Sequence, residues 1–261
     1  MPFDPRQEYV SDTNVLATTF ETDTGTVTVT DFMPCYHSAL EDPVSARQIH
    51  RLARCDKGSV PIEVVFQPRM DYARGTTCLR ISRHGVTVSH GEERIALSAG
   101  RPFEKDGAMA TSRFTLQQGE EVVYVLRYGS DSPAPPVTHR SRDRLRKTIE
   151  FWQDLARECA CGGQWREAIV RSYLALHLLV YWPAGSIIAA ATTSLAEEIG
   201  GERNWDYRFS WLRDASLTLD AFGRLGHKDE AVRYMKWLMD VCAVSGPAGQ
   251  MLYGLDPSDA L

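Results

Sequence analysis

Apolar residues in this chain repeat at every second position as far as about Tyr128 and at every third or fourth position after Arg140. A two-residue period places side chains on alternate faces of a strand, whereas a 3.6-residue period lines one face of a helix. One chain with both periods, used in succession, divides into a β part and an α part. In TGTVTVTDF, 24–32, Val27 and Val29 share a face opposite threonines. Similar runs at 14–20, 60–67, 76–82, 86–90, 112–116 and 121–128 are separated by Gly25, Gly58, Gly75, Gly85, Gly91 and Gly119. That spacing predicts a mostly antiparallel β-sandwich.

The segment SDSPAPPVTHR, 130–140, has three prolines and no apolar period, as a linker does. It separates a first domain, 1–130, from a second, 141–261, with the linker at 131–140. In the second domain Leu145, Ile149, Trp152, Leu155 and Ala156 predict one helix. Trp165, Ile169, Tyr173, Leu176 and Val180 predict another, stopped by Pro183. A third is expected over about 210–225, with Leu212, Ala215, Leu219 and Phe222 apolar and Gly226 as its stop. A fourth follows over 230–244, capped by Asp229, with Val232, Met235, Trp237 and Leu238 apolar. Short connections predict antiparallel neighbours, the beginning of an all-α array.

Thirty-four acidic against 29 basic residues leave a net charge of -5, so nothing draws the chain to nucleic acid or an anionic membrane, and a neutral small molecule is the better-suited ligand. No apolar run reaches the length of a membrane span. The first residues, MPFDPRQEYV, show neither a basic n-region nor an apolar core, which predicts a cytoplasmic location. Six scattered cysteines are expected to be reduced. Cys159 and Cys161 form a C-x-C without zinc-ligand spacing, so no metal is expected from them.

The chemistry concentrates between Gly200 and Ala215, where Arg203, Asn204, Trp205, Asp206, Tyr207, Arg208, Trp211, Arg213 and Asp214 occupy the approach to the third helix. A pyranose presents an apolar C–H face and a rim of hydroxyls, so its sites pair aromatic planes with carboxylate or guanidinium forks. Composition alone favours Trp205 and Trp211 as packing aromatics and Arg213 with Asp214 as an ion pair. The run TTSLAEEIGGERNWDYRFSWLRDA, 192–215, closely resembles the signature of glycoside hydrolase family 15, the glucoamylase and bacterial trehalase group. TNVLATTFETDTGTVTVTDFMP, 13–34, resembles the N-terminal β-sandwich of its bacterial members. RSYLALHLLVYWPAGSIIAAATTSL, 171–195, resembles the entry to their catalytic domain.

The resemblance implies an α+β multidomain chain, an antiparallel β-sandwich followed by the first helices of an (α/α)6 barrel. It implies that Arg213 and Asp214 bind hydroxyls of a terminal glucose and that Tyr207 and Trp211 line the same subsite, with Tyr207 near the anomeric centre. Trp205 and Asp206 are weaker candidates, divided between the subsite and packing. Ala196 stands where related sequences usually have proline. The implied reaction is hydrolysis of an α-glucosidic bond with inversion, of the glucan 1,4-α-glucosidase type. The alternatives are α,α-trehalose hydrolysis and, from another class, an inactive sugar-binding or structural piece.

Inversion requires a general acid and a general base on opposite sides of the sugar. In the family both follow well downstream of the arginine-aspartate signature, so they are expected beyond Leu261 and no catalytic carboxylate is assigned in this chain. Glu197 and Glu198 read as loop residues. Residues 1–13 show no counterpart of the strand pair that precedes 14–20 in relatives, so the chain reads as an internal or truncated piece. Its unpaired helix faces would then favour self-association. No cofactor is expected. Some trehalases of the family need phosphate and magnesium, but neither a glycine-rich phosphate loop nor an acidic metal cage stands in the sequence.

Overall fold

The structure is a computed structural model that describes residues 4–37, 43–45, 47–192, 197–245 and 252–255. Its contacts divide into two units, Met1–Phe151 and Trp152–Leu261. The first unit holds twelve described strands: β1 (Asp4–Tyr9), β2 (Leu16–Thr22), β3 (Gly25–Phe32), β4 (Cys35–His37), β5 (Pro43–Ser45), β6 (Gln48–Phe66), β7 (Cys78–Ser82), β8 (Gly85–His90), β9 (Glu93–Ala99), β10 (Glu104–Asp106), β11 (Met109–Gln117) and β12 (Glu121–Tyr128). Ten form one sheet with the path β1-β2-β3-β6-β12-β9-β8-β7, and β10 and β11 branch from β6. All described pairings are antiparallel.

The long β6 makes this branching possible. Its first half pairs with β3 and β12, and its second half, from Ser59, with β11. At the junction the β3 register skips Asp56, a bulge that bends a strand and increases its twist. Val27, Val60, Val86, Val88, Leu97, Leu116 and Val122, from both the main path and the branch, share one core. The expected strands are all present. The structure adds β1, β4, β5, β9, β10 and the first half of β6. In β6, Gln48, His50, Leu52 and Cys55 face inward while Arg51 and Arg54 face water, so two polar residues on the buried face masked the alternation. Strand β1 contains Pro5, which an edge strand tolerates because it donates to no further neighbour.

The helices are α1 (Ser141–Glu158), α2 (Arg166–His177), α3 (Leu212–Arg224) and α4 (Asp229–Ser245). The unit boundary falls within α1. Helix α2 ends at His177, earlier than Pro183 predicts, because the chain turns into a hairpin of β13 (Val180–Tyr181) and β14 (Ser186–Ile187). Its buried stripe is Val170, Tyr173, Leu174 and His177; Trp165, expected inside, is exposed. In α4 the buried stripe is Glu230, Tyr234, Trp237 and Val241, so Val232 and Met235, expected inside, face solvent. Both differences arise because an amphipathic pattern with apolar residues on two sides leaves the packed face to tertiary contacts. Helix α3 behaves as expected, with Ala215 and Phe222 buried and Gly226 at φ +94° just past its end. No helix among the described residues is long and apolar enough to cross a membrane.

The β13–β14 turn depends on Gly185, at φ +82°. A Cβ there would lie 2.9 Å from Arg233 Cβ and 3.0 Å from the Arg233 backbone. Gly185→Ala is therefore expected to destabilise the chain by about 1–3 kcal/mol, from left-handed strain plus a backbone clash. Chemical denaturation of the variant checks this, and an unchanged midpoint would refute it.

Candidate functional site

The residues singled out between Gly200 and Ala215 lie in the helical unit, on an extended segment held from two sides. Ala190 N donates to Tyr207 O at 2.7 Å, and Ala189 N to Phe209 O at 3.1 Å. Beyond them β15 (Ser210–Trp211) pairs with β16 (Leu252–Tyr253). Helix α3 starts at once after β15, at Leu212, so Arg213 and Asp214 stand on its first turn.

Trp211 anchors the aromatic group. Its indole is buried, and Nε1 donates to Asp206 O at 2.9 Å. Tyr207 stacks on it with centroids 5.1 Å apart and planes at 30°, and Trp205 meets it edge-on at 5.8 Å. The Arg213 guanidinium lies 5.7 Å from the Trp211 centroid, within cation–π range. Thus Trp211 forms a floor, with Tyr207 layered on it and Trp205, 42% exposed, at its edge.

The charged groups are of two kinds. Arg213 Nη2 lies 3.1 Å from Asp214 Oδ2, with the arginine side chain 68% and the aspartate 32% exposed. Asp214 Oδ2 is inaccessible to water and accepts no hydrogen bond among the described residues, so the Arg213 contact lacks hydrogen-bond alignment. The 68% exposed guanidinium of Arg213 therefore retains donors that a polyhydroxylic ligand can reach. Asp206 is occupied: its carboxylate accepts Arg208 Nε at 3.0 Å, Arg208 Nη2 at 2.5 Å and the Arg208 backbone N at 2.9 Å. These Arg208 hydrogen bonds hold its carboxyl below the usual carboxylate range. Asp206 serves as a brace of the segment.

Tyr207, Trp211, Arg213, Asp214 and Trp205 are brought together, while Asp206 faces Arg208. Sequence reasoning missed the scaffold. Asn204 Oδ1 accepts Glu197 N at 2.9 Å, and its Nδ2 donates to Glu198 O at 3.1 Å and Gly201 O at 3.0 Å. An asparagine in a glycine-containing loop signals such side-chain-to-backbone bonding. Glu197 and Glu198 are exposed in this loop, and Ala196 lies outside the described residues. Asn204→Ala is expected to cost the loop about 1 kcal/mol and raise its cleavage by a limiting protease about fivefold. Unchanged cleavage kinetics would contradict that role.

Residues 163–247 match the description "Glycosyl hydrolases family 15", and residues 3–152 match "Trehalase-like, N-terminal". The chain is 31% identical over 254 residues to a trehalase of Thermoplasma acidophilum, covering 97% of this chain and 43% of that protein. It is 30% identical to a trehalase of Thermoplasma volcanium, covering 98% and 40%. A trehalase of Mycolicibacterium smegmatis is 29% identical, covering 95% and 41%. The chain thus spans about two fifths of the length of these relatives.

Proposed function

Because the chain belongs to glycosyl hydrolase family 15 and carries a trehalase-like N-terminal domain, we propose that it supplies the glucose-holding part of an enzyme that hydrolyses α,α-trehalose with inversion. The observation that carries this reading is the Tyr207–Trp211 stack beside the Arg213–Asp214 pair on the first turn of α3. Tyr207 offers its ring to the C–H face of one glucose and its phenol oxygen to developing positive charge at the anomeric carbon. Arg213 and Asp214 hold adjacent hydroxyls, with Trp211 beneath them and Trp205 at the rim. In this proposal 1–130 is the sandwich domain, 131–140 the linker and 141–261 the first part of an (α/α)6 catalytic domain.

A glucan end is the other substrate the signature allows. The relatives' names support the disaccharide: the three described above are all called trehalase. Both substrates share the terminal α-glucose that these residues would hold.

The described carboxylates near the stack do not suit the general acid, which must carry a proton near neutral pH. Asp206 is held ionised by Arg208, Asp214 lies against Arg213, and Glu197 and Glu198 are exposed in the loop. The polypeptide alone is therefore expected to bind sugar weakly and to release glucose from trehalose, maltose and maltotriose only at the background rate. Calorimetry with trehalose and with glucose tests the subsite. Arg213→Ala is expected to weaken binding at least about tenfold, and Arg213→Lys to recover only part of it, because an ammonium cannot reproduce the fork. Equal heats for wild type and Arg213→Ala would remove the residue from the subsite, and rapid glucose release would place an acid among these residues.

A further inference from the structure

The helical unit contains a second polar cluster, away from the family signature in sequence. His177 is the last residue of α2, His227 lies in the turn after α3, and Glu230 is the second residue of α4. One ligand atom from each lies within 4.8 Å of the other two. The His177 side chain is 5% exposed and that of Glu230 9%, with His177 Nε2 3.8 Å from Glu230 Oε1. His177 Nε2 and Glu230 Oε2 are both sealed from water and have no hydrogen-bond partner among the described residues. Phe222 and Tyr173 wall the cluster, their rings 4.6 Å and 4.5 Å from the His177 ring.

A buried carboxyl oxygen and a buried imidazole nitrogen, neither hydrogen-bonded among the described residues, are costly features that a cation would satisfy together. An imidazolium at His177 is the competing source of that charge. Burial against Phe222 and Tyr173 opposes it, and 3.8 Å is too long for a hydrogen bond to Glu230. We propose that His177, His227 and Glu230 bind one zinc-class divalent cation that ties the end of α2 to the start of α4. Two imidazoles and one carboxylate favour zinc over magnesium, which prefers oxygen ligands and retained water. Three protein ligands leave a fourth position for water.

The surroundings support the donor set. Tyr173 Oη lies 2.7 Å from His227 Nε2 and 3.1 Å from Nδ1, which places a polar hydroxyl against the ring of the second histidine. Such outer contacts fix the orientation of ligating histidines. A tetrahedral ion with bonds of about 2.0–2.2 Å holds its ligand atoms roughly 3.3–3.6 Å apart, so separations that now reach 4.8 Å must shorten by up to about 1.2–1.5 Å, shared between the two side chains of a pair. The sequence shows only an H-x-x-E, His227 to Glu230; the third ligand stands 50 positions before His227, brought close by helix packing.

The test titrates zinc ion alone into the purified, metal-stripped full chain by calorimetry, with the absorption of the cobalt-substituted protein as a geometric readout. One ion per chain and the visible bands of tetrahedral cobalt are expected. His227→Gln and Glu230→Gln should each weaken binding at least about tenfold. His84→Gln, which alters a histidine of the β unit, should leave it unchanged. A folded wild-type chain that binds no stoichiometric zinc would overturn the proposal. So would equal affinity in His227→Gln, or a loss as large in His84→Gln. If either cluster variant fails to fold, the wild-type stoichiometry and cobalt spectrum decide the matter alone.

Discussion

Replacing Trp237 by alanine is expected to cost the helical unit about 3–5 kcal/mol, the range for removing a fully buried large aromatic. Trp237 is 1% exposed and belongs to the core cluster of Ile187, Ala215, Tyr234, Val241 and Tyr253. Its ring lies 5.1 Å from Tyr234 and 6.2 Å from Tyr253, and the latter belongs to the strand that pairs with β15. The same core thus supports the segment that carries Trp211. The indole N–H has no acceptor among the described residues, so the loss arises from packing. A fall in Tm of roughly 10 °C or more should be visible by near-ultraviolet circular dichroism. Trp165→Ala is the matched control: at 67% exposure it should change stability by no more than about 0.5 kcal/mol. Similar losses in both variants would show that burial does not set the cost.

Acid should weaken the β unit well before its carboxylates titrate. His50 is fully buried, its Nδ1 2.8 Å from Ser141 Oγ and its Nε2 without a partner among the described residues. His139 Nε2 lies 2.9 Å from Ser98 Oγ, and the two imidazoles meet edge to face at 6.2 Å. Burial first, then the Arg144 and His139 charges, pushes the His50 pKa down to about 3; burial, Arg127 and Arg144 lower that of His139. Between the unfolded value near 6.5 and the folded value, only the unfolded chain takes up the proton. The stability associated with neutral His50 is therefore complete above about pH 6.5 and is lost as pH falls toward 3. The loss reaches up to about 1.4 kcal/mol per pH unit. Urea midpoints between pH 7 and 5 should decline, and His50→Gln, which keeps a polar partner for Ser141, should flatten that decline. An unchanged slope in the variant would mean that His50 titrates normally.

Much of this molecule is legible in the residue pattern because strand and helix periods are local. The alternation in 24–32 and 121–128 and the helical runs around Trp152 and Phe222 correspond to β3, β12, α1 and α3. The approach to α3 was also legible, since tryptophans, tyrosine and paired charges are unusual at such density in a short connection. The reading failed where a buried face carries polar residues. Gln48 and His50 concealed the first half of β6, and Glu230 on the packed side of α4 left Val232 and Met235 as the apparent inner face. It also failed where distant hydrogen bonding outweighs a stop signal, as when α2 ended for the β13–β14 hairpin ahead of Pro183.

The sequence by itself determined the division into a β and an α part, the run that carries the family likeness, and the aromatic and charged residues gathered before α3. Tertiary structure decided that Trp211 lies beneath Tyr207, that Asp206 braces Arg208, and that His177 meets His227 and Glu230. The physical reason is range. Periodicity and turn chemistry act over a few residues, whereas the burial and ionisation of a polar side chain depend on partners that packing brings from far along the chain.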